Sequence, residues 1–533
     1  MSTHLAQIDA ALDRDDTHAA ATIAEQALAA GHSDGILFNL VAWLREEEEQ
    51  FEEAEALIRQ AIERDPNDPT LHLGLGVVLR KQGQLKGAVE AFETAMGIDP
   101  AWASPWFERG QTFENGGAIA DAEADYREAL RREPRNPGFM ASLAGVCARQ
   151  GRLDEATAQA EAALQVAPGH QVARRALAQI ALERKDFEAA LRLLESGEWG
   201  GESEGPARFS LLGDALEGLG RYDEAYQAYL RGKQAFTAIN RGRLADTDAE
   251  ILLDRLEASV DAFRNADKAL WEEPDFTESG PVGTHVFLTG HPRSGTTLAE
   301  NILATLPGTV AIEERPTLAG VGREVMSSAD GALMVAARST AEISALRQDY
   351  WQRASRAAGQ SLDGALFVDM DPFKGSRLPL VARLFPTAKY VITIRDPRDV
   401  VWSCFHTNFA FNAGTANFTT LESTARFYAA NWALINATLE ALPLDWFELR
   451  YEDLVRDFDV TTKGLCAFLG AEWSEELRKF DRTAQRRGVS TASATQVRQG
   501  LYDGSGGWRR YEKQLAEVKP ILQPWVDRFG YSD

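Results

Sequence analysis

Gly290-His-Pro-Arg-Ser-Gly-Thr-Thr297 decides how the second half of this chain folds. The apolar run His285-Val-Phe-Leu-Thr289 precedes it, and Leu298-Ala-Glu-Asn-Ile-Leu303, with helical spacing, follows. Strand, glycine-bearing turn and helix start therefore adjoin, so backbone N–H groups and the positive end of a helix dipole converge on one point. That point predicts an anion site, and a phosphate suits it best.

Gly290 and Gly295 have the spacing of the nucleotide loop Gly-x-x-x-x-Gly-Lys-[Ser/Thr], but Thr296 stands where the lysine belongs. The cation lies inside the loop instead, as Arg293 beside Pro292. Without the lysine that reaches the β and γ oxygens, γ-phosphate chemistry is disfavoured and a donor with fewer phosphates in line is expected. A Gly/Ser/Thr turn alone could equally be a helix cap. A second motif weighs against that. Lys389-Tyr-Val-Ile-Thr-Ile394 reads as a buried parallel strand and ends in Arg395-Asp-Pro-Arg-Asp-Val-Val-Trp-Ser403. Pro397 suits a first helical turn, so Arg395 sits at the strand end and Ser403 about two turns along the helix. Taken alone, Arg395 could simply pair with Asp396 or Asp399.

Pro-Arg-Ser-Gly-Thr-Thr-Leu at 292–298 resembles the 5′-phosphosulfate loop of sulfotransferases, which use 3′-phosphoadenosine 5′-phosphosulfate (PAPS). Arg395 and Ser403 resemble the pair with which that family holds the 3′-phosphate, in family order and 102 residues after Arg293. Weaker matches continue the likeness over roughly 284–530. Glu448-Leu-Arg-Tyr-Glu-Asp-Leu454 is similar to the strand that brings a tyrosine, here Tyr451, to the nucleotide. Val489 to Arg498 resembles the Ser-x-x-Gln-Val loop of tyrosylprotein sulfotransferases and their bacterial relatives, with Ser493 at its serine; Gly506-Gly-Trp-Arg-Arg-Tyr511 resembles a late Gly-x-Trp-Lys segment.

The resemblance implies an α/β P-loop-like sulfotransferase domain with a central parallel sheet, PAPS as co-substrate, PAP as product and no metal. Nucleotide contacts are implied for Arg293, Ser294, Gly295, Thr296, Thr297, Leu298, Arg395, Ser403, Tyr451, Arg498 and Trp508. Catalytic roles are implied for Arg293, Ser493 and a glutamate. Tyrosylprotein sulfotransferases carry their base as the second of a Glu-Glu pair at the step occupied here by Glu314, 21 residues after Arg293; Glu313 is the alternative. Other sulfotransferases use histidine, but His285, His291 and His406 do not fall at an equivalent position, and His291 reads as structural. One departure stands out: relatives have a lysine two residues before the position of Pro372, and this chain has Met370, leaving Lys374 or Arg293 to assist the transferred group.

The first half follows a different arithmetic. Pro66, Pro100, Pro134 and Pro168 lie 34 residues apart; so do Phe51, Leu85, Ile119, Leu153 and Phe187, and Ala54, Ala88, Ala122, Ala156 and Ala190. Ala61, Ala95, Ala129 and Ala163 keep the same step, Thr17, Ala20 and Ala27 fit the frame, and Tyr222 and Ala225 resume it after a one-residue slip. This is the tetratricopeptide (TPR) period of stacked helix–turn–helix units. The expected organisation is an α-solenoid of about seven repeats over 1–236, a helical connector and linker over 237–283, and the transferase domain over 284–533.

Composition narrows the partners. The net charge is −24, of which residues 1–283 carry −23 and residues 284–533 only −1. An acidic solenoid excludes a nucleic-acid footprint and leads us to expect a neutral or basic partner at the docking face, although runs such as Glu46–Glu49 are ordinarily a solvated helix face. No apolar run approaches a membrane span and no signal-peptide core opens the chain, so a cytoplasmic location is expected. Cys147, Cys404 and Cys466 have no metal-ligand spacing. Three functional readings remain: a sulfotransferase acting on a protein or peptide docked by the repeats, tyrosine among the candidates; one acting on a carbohydrate, lipid or small molecule, with the repeats serving assembly or a homodimer; and a PAP-binding scaffold that has lost activity, which Met370 keeps open.

Overall fold

A computed structural model describes residues 3–14, 16–48, 50–196, 199, 205–242, 244, 249–271, 280–487, 493–498 and 500–532. The chain divides into two compact units, Met1–Trp199 and Gly200–Asp533.

The first unit is helical. Each residue of the Phe51, Leu85, Ile119, Leu153 and Phe187 ladder opens a helix, as in Phe51–Arg64, Leu85–Ile98 and Ile119–Arg132. Every alanine of the two 34-residue alanine series is fully buried where paired helices meet. Small residues there let backbones approach. Gly76 shows how closely: a Cβ on it would lie 2.4 Å from the Phe92 ring, and the position 34 residues on, Gly110, would meet Tyr126 at 2.7 Å. The prolines close each unit in the turns between helices, where no amide hydrogen is needed.

The second unit begins with helices α1 (Pro206–Gly218) and α2 (Tyr222–Ile239), which pack on each other with Gly213 under the Tyr229 ring. This pair resumes the repeat frame after its slip, yet it falls in the unit that holds the sheet. Lys233 donates to the Thr407 carbonyl at 2.9 Å, and Tyr229 meets the rings of Trp402 and His406. Helix α3 (Ala249–Asn265) covers the expected connector.

Five parallel strands follow: β1 (Thr284–Thr289), β2 (Thr309–Glu313), β3 (Leu366–Met370), β4 (Lys389–Ile394) and β5 (Asp445–Arg450). Their order is β2-β3-β1-β4-β5, so the chain runs to one side of β1 and then returns to the other. Register pairs Leu288 with Met370 and with Val391, and Glu313 with Met370. β1, β3 and β4 are apolar along nearly their whole length because both faces are covered; β5, at the edge, leaves Asp445, Trp446 and Glu448 exposed. Helix α4 (Thr296–Leu303) seals one face, packing Leu298 and Ile302 with Val286, Val368, Met370 and Val391. Strand order reverses at β1, and in such sheets the crevice at the carboxyl ends of the strands beside the reversal is where ligands bind.

Candidate active site

All five strand ends deliver residues to that edge: the 290–297 loop after β1, Glu314 after β2, Asp371 after β3, Arg395 after β4 and Tyr451 after β5. The loop turns through two glycines at positive φ. Gly290 has φ 152°, and a Cβ there would sit 2.5 Å from the Thr393 hydroxyl. Gly295, at φ 104°, is the N-cap of α4 and supplies no capping side chain, so the first-turn N–H groups face the crevice uncapped by it. Asn431 anchors the loop by donating to the Gly290 carbonyl at 2.8 Å. Ser294 turns inward, 2.6 Å from Thr393 Oγ1 and donating to the His291 carbonyl.

Arg293 is the focus of the site. It adopts φ 69°, a left-handed conformation that side chains other than glycine, asparagine and aspartate rarely hold. Its Nε donates to Ser403 Oγ at 2.9 Å, its Nη1 to Ser493 Oγ and its Nη2 to Gln496 Oε1 at 3.1 Å. Burial, and next the neighbouring Arg395 guanidinium, pushes Arg293 down to about 10. Two arginines held together in poor solvent call for an anion between them. Arg395 does not hydrogen-bond to Asp396 or Asp399. Asp396 caps helix α5 (Pro397–His406) and pairs with Arg398, while Asp399 accepts from the Gly506 and Trp508 amides. Arg395 instead donates to the carbonyls of Arg293 and Gly504 and lies 4.5 Å over the Tyr451 ring; its Nε is buried and has no partner among the described residues.

Arg293, Gly295, Thr296, Thr297, Leu298, Arg395, Tyr451 and Ser493 thus line one cavity of about 50 Å³, with Gln496, Val497, Gly500 and Tyr502. Ser403 joins it through Arg293. Three expected nucleotide contacts lie elsewhere among the described residues: Ser294 is buried with its hydroxyl on the His291 carbonyl and Thr393, Trp508 is buried under Arg398, 3.9 Å away, and Arg498 does not line the cavity, its carbonyl accepting from Gln485. Part of the Val489–Arg498 stretch, residues 489–492, is outside the described residues. Gln496 and Tyr502 were not singled out from sequence; Gln496 was within reach, because it belongs to the same Ser-x-x-Gln-Val loop as Ser493.

Glu314 borders a second, larger cavity of about 410 Å³, together with Asp371, Phe373, Phe427 and residues of α3. Glu313, one pleat earlier, does not line it. The Glu314 amide extends the β2–β3 ladder to the Met370 carbonyl at 2.7 Å, and its φ is 48°. Among the described residues Arg293, Glu314 and Lys185 are the non-glycine positions of positive φ. Each such conformation costs on the order of 1–3 kcal/mol and is retained where surrounding structure imposes it. Glu314 is exposed along its cavity face, yet the protein packed around its carboxyl partly desolvates it. That desolvation, then repulsion from Asp371, Glu313 and Glu300 against the pull of Lys374, brings its carboxyl up to about 7. Desolvation pushes the histidines His285, His291 and His406 the other way, to about 3, 4 and 4, so they stay neutral. Met370 is wholly buried in the sheet core. Lys374, the candidate substitute, is committed to Asp369 at 2.8 Å and Asp371 at 3.5 Å and does not line the donor-side cavity. Among the described residues no group of three or more His, Cys, Asp or Glu could hold a metal, and no helix is long and apolar enough to cross a membrane.

Comparison with known proteins agrees with this architecture. Residues 285–475 match the model of the sulfotransferase family, and residues 40–101, 107–169 and 149–198 match tetratricopeptide-repeat models. An uncharacterized protein of Aquifex aeolicus (strain VF5) is 24% identical over 88% of this chain and 67% of its own length. Cellulose synthase operon protein C of Pseudomonas fluorescens (strain SBW25) is 29% identical over 24% of this chain and 11% of its own length. Among solved structures, a thermophilic TPR protein of Thermus thermophilus aligns with 25% identity over 33% of this chain and 97% of its own, at a TM-score of 0.29. The chain therefore carries tetratricopeptide repeats in its first half and a sulfotransferase-family domain in its second.

Proposed function

We propose that this protein transfers a sulfuryl group from PAPS to an acceptor hydroxyl, presented by a protein or peptide that the repeats dock. The observation that carries the reading is that Arg293 and Glu314 both stand at positive φ beyond strands of one sheet edge, one a cation beside the start of α4, the other a carboxyl brought near neutrality. The donor-side residues fit a nucleotide with separate phosphates, since Arg293 and Arg395 offer two guanidinium groups and Arg395 keeps a buried, unpartnered Nε. PAPS, when bound, supplies the sulfuryl group and a phosphate leaving group. Arg293, the loop amides and the Thr296 and Thr297 hydroxyls stabilise charge on the bridging oxygen as its bond to sulfur breaks. Glu314 takes the proton from the acceptor hydroxyl as the new oxygen–sulfur bond forms. Ser403 orients Arg293 through its 2.9 Å contact, and Arg395 reads the 3′-phosphate. Ser493 and Gln496 hold Arg293 until the donor engages it.

The wider organisation follows the same reading: a repeat domain over 1–236, a connector to 283 and the transferase to 533, in the cytoplasm. A catalytically silent PAP-binding scaffold is the competing reading, and the burial of Met370 with the commitment of Lys374 to aspartates favours it. Calorimetry with PAP and with adenosine 5′-phosphate, followed by transfer assays with radiolabelled PAPS, separates the two. Selective PAP binding with transfer supports the enzyme; selective binding without transfer to any hydroxyl supports the scaffold; no preference for PAP refutes both.

A further inference from the structure

The cavity beside Glu314 differs in character from the chain that forms it. Overall the protein is strongly acidic, at −24, yet three arginines, Arg255, Arg315 and Arg377, line this one chamber. Among the described residues none of the three guanidinium groups makes a hydrogen bond or an ion pair. The carboxylates of the lining are Glu314 and Asp371, and Asp371 is already engaged by Lys374 at 3.5 Å and by the Phe373 amide at 2.9 Å. Arg377 is half-buried, and desolvation works against its charge with only Asp371 as a counterweight. A partly desolvated guanidinium without a partner is unfavourable, so its retention in a cavity points to a ligand that neutralises it.

Arg255 reaches the chamber from an unexpected direction. It lies on α3, outside the stretch that matches the sulfotransferase family. Leu252, Arg255, Leu256 and Ser259, spaced as one stripe of a helix, face the cavity. The acidic neighbours of Arg255 on that helix are taken up otherwise: Asp254 and Glu257 both pair with Arg426 on the long helix Leu421–Ala441, which fixes α3 against the transferase fold. Leu256, Phe373 and Phe427 give the chamber an apolar side, and Ser376 and Asn412 add polar groups to the lining. A volume of about 410 Å³ suits a compact organic group.

We propose that this chamber selects a hydroxyl acceptor that also carries an anionic group on an apolar body, the anion being bound by Arg377 and Arg255 with Arg315 at the rim. The connector helix thereby acts as the specificity wall of the acceptor site. This inference rests on the transferase reading above.

The test uses full-length protein saturated with PAP and three probes that share a phenol: 4-hydroxyphenylacetate, its neutral amide, and the cation tyramine. Calorimetry should rank the carboxylate about tenfold or more above the amide, with tyramine weakest. Arg255→Gln with Arg377→Gln should abolish that preference while leaving PAP affinity unchanged. Arg255→Gln alone, on a helix outside the sheet core, should reduce it severalfold and guards against a double variant that fails to fold. Equal binding of the three probes, a preference for tyramine, no binding of the carboxylate, or a preference that survives both substitutions would each overturn the proposal. Failure of the wild-type protein to bind PAP would instead remove the transferase reading on which it rests, so the two failures are distinguishable.

Discussion

Replacing Glu314 by glutamine keeps the shape of the side chain at its strained position and removes only proton acceptance. Its carboxyl stands at about 7 through burial first and Asp371 second. The competent form is the carboxylate, so kcat/KM in the unaltered protein should climb as pH rises through about 7 and level off above it. Glu314→Gln should lower turnover by about 10²–10⁴-fold, the usual worth of a positioned base, and flatten the acidic limb, while PAP affinity stays the same. Asp371→Asn supplies the second half of the argument. It removes the strongest like charge, so the acidic limb should move to lower pH, by on the order of one pH unit or less. The assay is transfer of radiolabelled sulfate from PAPS to 4-hydroxyphenylacetate across pH 5.5–8.5, with the range chosen as about 1.5 units either side of neutrality, and with PAP binding measured in parallel. A Glu314→Gln protein that retains full turnover would refute the base assignment. An acidic limb that does not move in Asp371→Asn would refute the account of why Glu314 is raised.

Other consequences are as specific. Arg395→Ala should weaken PAP by about 1.5–3 kcal/mol and adenosine 5′-phosphate far less; equal losses by calorimetry would mean that Arg395 does not read the 3′-phosphate. Gly290→Ala should leave little folded protein, because its Cβ would meet Thr393 at 2.5 Å from the hydroxyl and 2.6 Å from the carbonyl; an unchanged melting temperature would contradict the loop geometry. In the solenoid, Gly76→Ala should cost about 1–3 kcal/mol by overpacking against Phe92, and the smaller Phe92→Leu should relieve part of that loss in the double variant, as thermal unfolding would show. A chain beginning at residue 200 should fold and bind PAP, whereas one beginning at residue 237 removes Tyr229 and Lys233 from the helix that carries Ser403 and should melt lower; equal stability of the two would show those contacts to be idle.

Periodic features were legible in the linear chain. The 34-residue ladder fell on helix starts and buried alanines because each repeat solves the same packing problem, so the same residue type recurs at the same depth. The loop after β1 was legible because a turn that approaches an anion through backbone amides needs glycine, and the segment after β4 because a strand buried on both faces is apolar and Pro397 marks the helix start that follows. Glu314 could be narrowed only to a pair, since adjacent residues at a strand end point to opposite sides and the choice depends on the β2–β3 register.

What the sequence by itself determined is local and repetitive: the solenoid, the phosphate-type loop, the strand–loop–helix units and the residues placed just beyond the strands. Only the tertiary structure decided which of those residues meet. Strand order brought Glu314 and Asp371 to the same edge as Arg293 and Arg395. The pairing of Lys374 with Asp369 and Asp371 removed it as a free cation, and the burial of Trp508 beneath Arg398 took it away from the cavity. Helix α3 reads from sequence as a helical connector and no more, because its stripe of Leu252, Arg255, Leu256 and Ser259 has no meaning without an opposing surface; in the fold that stripe lines the cavity beside Glu314. Spacing along the chain encodes contacts within a turn or a repeat; contacts across the sheet depend on register and strand order, which a single sequence does not display.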